Sequence, residues 1–415
     1  MEGDGGSAFV SPGRSRTSCV NALIVALNEM CDGSSWYTST KELQLASLEI
    51  CIACRTHRTM HLYVNRNIPR RLLAAADASP PHPKRLGRTR VPRLRARYVT
   101  WNMRTAESLK DPIFAMTGVD GLKFGDDFDG SLDAVAWPRR LKKIEFQWDS
   151  PFNQPIDMVD WPDSLQTLVF GVSFDQPIER VHFPASLQML VFDVCFDQQI
   201  VGAFLPSSLQ ELDLGEEFNQ PIEDVAWPLS LQKLRFGRNF NQPIERAKFP
   251  SSLQELTFHG FSRFDQPIEG VLWPDSLQVL IFGHCFNKPV DRARWPRSLQ
   301  ELSFGLCFEL PGDKRMGIYS EFNQRICTSC WPASLRRLTL GHKFRQSLEG
   351  LGTWMPNLEA LRVLDWRYGP GKDDSLLRGI KWPTSLRELT VYIDSNSDGV
   401  EIPSIVHVSR PDPMR

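Results

Sequence analysis

The chain has 415 residues, 41% hydrophobic and 23% charged, enough apolar material to build a large core, which excludes a wholly disordered protein. Its 48 Lys and Arg against 49 Asp and Glu leave a formal charge of −1, so it is neither a polycation shaped for nucleic acid nor a polyanion. The balance is uneven, since residues 1–100 hold 15 basic and 7 acidic side chains and the remainder is acidic.

The first 76 residues read as a helical region without a legible role, with helices expected over 19–30 and 41–54. The apolar stretch Cys19–Leu27 is short, contains Asn21 and follows Glu2 and Asp4, so it reads as a helix and not as a secretory signal. No run of 18 apolar residues occurs, and no membrane span is expected. Residues 77–109 read as a basic, proline-containing linker: Ser79-Pro80-Pro81-His82-Pro83 breaks regular structure, and 12 basic residues between Arg55 and Arg97 face Asp77 alone. The stretch from Lys84 to Arg97 has the charge of a phosphate-contacting or nuclear-import segment, and a solvated linker is the plainer reading. Nine scattered cysteines, an odd number, fit a reducing compartment: the cytosol, with the nucleus as alternative.

From 110 to 393 a repeat governs the chain. Pro138, Pro162, Pro184, Pro206, Pro228, Pro250, Pro274 and Pro296 recur every 22 or 24 residues, each behind Trp, Phe or Leu. Overlaid, the units read aromatic-Pro-x-Ser-Leu-Gln-x-Leu-x-Phe-Gly-x-x-Phe-Asn/Asp-Gln-Pro-Ile. Self-similarity at this period marks a solenoid of leucine-rich-repeat type. About twelve units are expected, making a β-rich stack with one parallel sheet and a convex side that is extended or 3₁₀, because 22 residues leave no room for a long helix. In Leu165–Phe170, alternation turns Leu168 and Phe170 inward and Thr167 and Val169 outward. Gly171 lets the chain turn, Phe174 returns to the core, and Asp175-Gln176-Pro177 makes an extended elbow. Two units take two extra residues, between Trp148 and Phe152 and between Gly260 and Phe264, and an insertion separates Phe308 from Phe322. Residues 394–415 read as a C-terminal tail.

Phe-Asn-Gln-Pro-Ile at 152–156, 218–222 and 240–244, with the Pro-x-Ser-Leu-Gln and Leu-x-Phe-Gly segments, resembles the FNIP-type repeat, a relative of the leucine-rich repeat. The resemblance implies a solenoid binding module without catalytic residues, fused in some members to an F-box. Residues 1–105 lack the Leu-Pro-rich start of an F-box. The elbow departs from the pattern at Gln198-Gln199-Ile200, Lys288-Pro289-Val290 and Arg345-Gln346-Ser347-Leu348.

Searching for chemistry yields little. Cys51, Cys54, His57 and His61 are zinc-type ligands, but on one helix or loop they cannot close a tetrahedron as separated ligand pairs do. Cys327-x-x-Cys330 reads as an ordinary loop, and Cys285 and Cys307 fall at the same position of adjacent units. Asp394-Ser395-Asn396-Ser397-Asp398-Gly399 begins like a calcium loop, but its twelfth position is Ile405 where a bidentate Glu is needed. No phosphate loop, dinucleotide fingerprint, zincin helix or nucleophile elbow occurs. No enzyme activity, metal or cofactor is expected.

The outward strand positions carry the functional reading, because they form the recognition surface of a solenoid. Val169, Val172, Met189, Val191 and Val194 make an exposed apolar patch, and such patches mark contacts. Glu211 and Asp213 stand beside it, and the next row, Lys233 and Arg235, is opposite in sign, as a cross-strand ion-pair ladder requires. These observations give a monomeric, non-enzymatic scaffold that binds a protein partner on its concave face, with Val169, Val172, Met189, Val191, Val194, Glu211 and Asp213 as the contact set. The alternatives are a substrate-recognition subunit of a ubiquitin-ligase-type complex and a nucleic-acid binder acting through 84–97.

Overall fold

The computed structural model describes residues 43–45, 48–55, 59–64, 96–101, 104–110, 119–305, 320–326, 331–341, 343–363, 379–391 and 407–409. Within them the strands pair in chain order. β2 (Leu48–Arg55) pairs antiparallel with both β1 (Leu43–Leu45) and β3 (Thr59–Val64). β4 (Ala96–Trp101) then joins β3 in parallel, and every later pairing is parallel. The stack proper runs through β5 (Gly121–Phe124), β6 (Lys143–Phe146), β7 (Thr167–Val169), β8 (Met189–Val191), β9 (Glu211–Asp213), β10 (Lys233–Phe236), β11 (Glu255–Phe258) and β12 (Val279–Phe282). It continues through β13 (Glu301–Phe304), β14 (Arg337–Leu340), β15 (Ala360–Val363) and β16 (Glu388–Val391) to β17 (His407–Ser409).

Three expectations are corrected. The helix expected over 41–54 is replaced by β1 and β2, because Leu48, Ile50, Ile52 and Cys54 alternate with period two and isoleucine is β-branched. The expected linker 77–109 contains β4, whose Val99 and Trp101 are buried and lie opposite Leu122 and Phe124. The expected tail 394–415 contains β17, parallel to β16. Both added strands lack the aromatic-Pro signature by which the repeat announces itself. The expected helix at 19–30 and most of the basic segment 84–97 lie outside the described residues.

Each coil is built as its sequence dictates. Strand residues alternate strictly: Leu168, Leu190, Leu212, Leu234, Leu256 and Leu280 are buried, and their neighbours on either side point away from the core. At the strand end and in the loop after it the phenylalanines stack in two columns, the first interrupted by Leu214. Within a coil Phe170 and Phe174 are 3.9 Å apart, and from coil to coil the rings continue upward. The proline motif closes the coil with an i→i+3 turn, Leu165 N–H donating to the Pro162 carbonyl at 2.9 Å, repeated at Leu187, Leu209, Leu231 and beyond. Its serine ties neighbouring coils, the Ser186 hydroxyl donating to the Leu165 carbonyl at 2.6 Å and Ser208 to Leu187 likewise. Regular helix is confined, among the described residues, to one 3₁₀ turn at Glu107–Lys110 and one α-helical turn at Leu351–Trp354.

The motif glycine serves close approach more than turning. A Cβ on Gly237 would sit 1.7 Å from the Gly215 carbonyl oxygen, and one on Gly171 would sit 2.5 Å from that of Gln147. Of the motif glycines Gly215 and Gly305 have a left-handed φ, at 78° and 108°.

Ring spacing reveals the curvature. Paired strands lie about 4.8 Å apart. The strand-borne rings Phe170 and Phe192 are 5.5 Å apart, the loop rings Phe174 and Phe196 are 6.4 Å apart, and the closing indoles Trp273 and Trp295 are 6.5 Å apart. The coils therefore fan open away from the sheet, and the outward face of the sheet is concave.

Candidate functional site on the concave face

The concave face is paved by the two outward side chains of each strand. On β7 and β8 these are Thr167 opposite Met189 and Val169 opposite Val191. β9 and β10 bring Glu211 opposite Lys233 and Asp213 opposite Arg235. β11 adds Glu255 and Thr257, and β12 returns to aliphatic chains with Val279 and Ile281. The strip thus runs apolar, charged, mixed, apolar.

A groove of about 380 Å³ lies across this strip, from Met189 and Val191 at one end to Ile281 at the other, with Glu211, Asp213, Lys233 and Arg235 in its walls. Four of the seven residues named from sequence, Met189, Val191, Glu211 and Asp213, line it together. Val169 adjoins Val191 on the next strand, and Val172 and Val194 stand on the rim just past β7 and β8. The expectation of fully exposed aliphatic side chains needs correction: all five are half-buried. Strands this closely spaced let each side chain shield the flank of the next.

The charges pair as a ladder. Lys233 Nζ is 3.3 Å from Glu211 Oε1, and Arg235 Nη1 is 3.6 Å from Asp213 Oδ2. A second cluster sits on β5 and β6, where Lys143 lies 2.6 Å and Lys123 3.5 Å from Glu145. Burial opposes ionisation of Glu145, yet the two ammonium groups outweigh it and its carboxyl falls below the usual range. Asp213 behaves oppositely, burial pushing its carboxyl up although Arg235 pulls it down. Asp193, at the end of β8, is raised first by burial and then by Asp213 and Glu216.

Beyond β11 the rim carries His259, Phe261, His284 and Cys285. Burial lowers the pKa of both imidazoles and raises that of the Cys285 thiol, whose Sγ lies 3.2 Å from His284 Nε2. The pair is therefore a neutral thiol beside a neutral imidazole and not a thiolate-imidazolium pair. Cys195 and Cys285 are free thiols, and Cys307, Cys327 and Cys330 lie outside the described residues. Cys51 and Cys54 fall on β2 and His61 on β3, an antiparallel hairpin where one helix or loop was expected, with His61 opposite Ala53 and Cys54 opposite Met60. Among the described residues no His, Cys, Asp and Glu group has metal-holding geometry, and no helix is long and apolar enough to cross a membrane. The calcium-like stretch 394–399 is outside them.

Sequence reasoning missed Trp148, 66% exposed, and Phe261, 39% exposed. Phe261 lies within the two-residue extension of its coil, and Trp148 immediately precedes the other. Each extension is a β-turn, Ser150 N–H donating to Gln147 at 3.0 Å and Ser262 N–H to His259 at 2.7 Å. The signal was an aromatic residue in each extra-long unit.

The FNIP Repeat family model matches residues 152–193, 176–217, 218–261 and 264–307. Solved structures similar to the chain include CroV588, described as a novel circular LRR protein, at 27% identity and a TM-score of 0.42, covering 76% of this chain and 57% of that one. The TLR13–ssRNA13 complex is similar at 14% identity and a TM-score of 0.38, covering 72% and 54%. A leucine-rich repeat protein from Eubacterium ventriosum is similar at 11% identity and a TM-score of 0.22, covering 81% and 90%. The chain thus spans little more than half the length of the first two. No curated protein matches it.

Proposed function

We propose that this chain, a FNIP-repeat protein with a leucine-rich-repeat-like solenoid, is a non-enzymatic scaffold that seats a protein partner on its concave face. The observation that carries the reading is the groove from β8 to β12, where aliphatic side chains point away from a core that is already filled. Met189, Val191 and Ile281 are half-buried by their cross-strand neighbours and keep an apolar flank open to the groove. A partner that covers that flank takes it out of water. We place the protein in the cytosol, with the nucleus as the alternative, in keeping with its odd number of cysteines.

The test is quantitative affinity capture with the full chain, followed by affinity measurement on the partner obtained. Val191→Asp puts a charge at the apolar end of the groove and should weaken binding by about 2 kcal/mol or more while leaving the melting temperature nearly unchanged. Lys248→Ala is the control, exposed just before the closing Phe249-Pro250 and away from the strand face. Retention of every partner by Val191→Asp, with loss in the control, would move the binding surface to the convex side.

A further inference from the structure

We infer that one rim of the concave face, the row Trp148, Val172, Val194 and Glu216, docks a short extended segment of a protein partner bearing an aromatic or aliphatic side chain and, about four residues away in either direction, a lysine or arginine. The inference rests on the concave-face reading above and specifies the partner's chemistry.

The four residues occupy corresponding positions in successive coils, just past β6, β7, β8 and β9. Backbone bonds tie the rim from coil to coil: Val172 N–H donates to the Trp148 carbonyl at 2.8 Å, Cys195 to Val172 at 2.9 Å and Glu217 to Val194 at 2.9 Å. Three strand steps of about 4.8 Å separate Trp148 from Glu216, roughly 14 Å, which an extended peptide covers in about four residues.

The two ends of the row differ in kind. At one end the turn bearing Trp148 is pinned from below by buried Ser150, whose hydroxyl donates to the Phe128 carbonyl at 3.2 Å and accepts the Phe152 N–H at 3.4 Å. A mostly exposed indole thus stands on a fixed base, with Val172 and Val194 continuing the apolar surface. Tryptophan is enriched among the residues that dominate binding energy.

At the other end Asp193, Asp213 and Glu216 adjoin, the Glu216 N–H donating to the Asp193 carbonyl at 3.3 Å and Asp213 Oδ1 accepting the Gly215 N–H at 3.1 Å; burial first, then the other two carboxylates, raise the pKa of Asp193. Arg235 serves Asp213 alone, and neither Asp193 nor Glu216 has an ion-pair partner among the described residues. Asp193 also occupies the position that is glycine in the flanking coils, Gly171 and Gly215, so this carboxylate is an addition to the repeat. A cation from the partner complements the cluster, and an acidic segment is repelled.

The test pans a displayed library of random twelve-residue peptides on the immobilised full chain. The most enriched peptide is then measured by fluorescence anisotropy against Trp148→Ala, Glu216→Lys and the uncharged groove variant Val191→Asn. Enrichment of an apolar residue with Lys or Arg three to five positions away on either side is expected, with about tenfold or greater weakening in both Trp148→Ala and Glu216→Lys at unchanged melting temperature. Enrichment of acidic sequences, absence of enrichment, or affinity indifferent to both rim variants overturns the inference. If Val191→Asn weakens binding while the rim variants do not, the concave-face reading stands and the rim assignment alone fails. Indifference to all three removes both.

Discussion

The side-chain Oδ1 of Asn241 lies 2.9 Å from the backbone nitrogen of Asp265, one coil further on, and accepts its N–H. The same oxygen accepts a bond from Gln266 Nε2 at 3.0 Å. The arrangement recurs from Asp129 through Asn153, Asp175, Asp197, Asn219, Asn241, Asp265 and Asn287 to Asn323, and it ends where Arg345 supplies no side-chain oxygen. The Asn/Asp-Gln pair of the repeat is thus a ladder that satisfies the elbow backbone of the following coil. It is not merely a turn signal.

Asn241→Ala should therefore destabilise the fold by about 1–3 kcal/mol, because it strips an acceptor from a partly buried N–H and from Gln266 at once. Asn241→Asp should cost much less, since Asp175 and Asp197 already fill this role. Urea denaturation of the three proteins reads the difference, and equal stability of Asn241→Ala and the parent would show that the ladder contributes nothing.

Phe236 and its neighbour Arg235 test the strand phase. Phe236 is fully buried, 4.0 Å from the Phe240 ring and 5.5 Å from Phe258, and its change to alanine should cost about 3–5 kcal/mol. Arg235 is exposed and makes one surface ion pair, so Arg235→Ala should cost about 1 kcal/mol or less. Comparable losses in thermal melts would contradict the alternation.

How much of this was legible in the sequence follows from how local each signal is. The inward and outward phases of Leu168, Phe170, Val169 and Val191 were readable because the strand period and the 22-residue repeat reinforce each other. The Asn241 ladder was not, since an acceptor that serves the next coil looks the same in sequence as one that serves its own turn. Trp148 escaped because its extra-long turn read as a tolerated loop. Ile50 and Ile52 on β2 alternated as a strand should, but outside the repeat nothing nearby tied that segment to the sheet. Of the candidate contact set, the pairing of Asp213 with Arg235 followed from their adjacent rows. The groove did not, because it needs the curvature that the ring spacing sets.

Asp193 gives a pH dependence. Its carboxyl is raised in the folded protein by burial and by Asp213 and Glu216, so the folded state binds more protons than the unfolded chain between the ordinary aspartate value of 3.8 and the raised one. This group's contribution to stability is therefore greatest at low pH and is lost as pH rises through that window. Asp193→Asn should raise the melting temperature near pH 7 and have little effect near pH 3. A gain of equal size at both values would show that ionisation of Asp193 is not what costs stability.

Deleting residues 227–248 removes β10 and its coil and tests whether the stack is modular. β10 pairs with β9 and β11 in one register, Lys233 standing opposite both Glu211 and Glu255. Removing 22 residues brings Phe249 to the position of Trp227, lets Asn219 accept the Asp265 N–H in place of Asn241, keeps the loop column of phenylalanines continuous from Phe218 to Phe264, and sets Leu214 against Phe258 in the strand column. The shortened protein should fold with strand-type circular dichroism. It should also be less stable than the parent, because one interface between coils is gone and Glu211 now faces Glu255, a like-charge pair costing about 0.2–1 kcal/mol, while Asp213 has lost Arg235. Adding Glu255→Lys to the deletion should recover part of that loss by restoring the opposite charge. Deleting only residues 227–237 instead places Arg238 where Trp227 belongs and breaks the ladder, so that protein should not fold cooperatively. Equal melting of the two deletion proteins would mean that the coils are not interchangeable units.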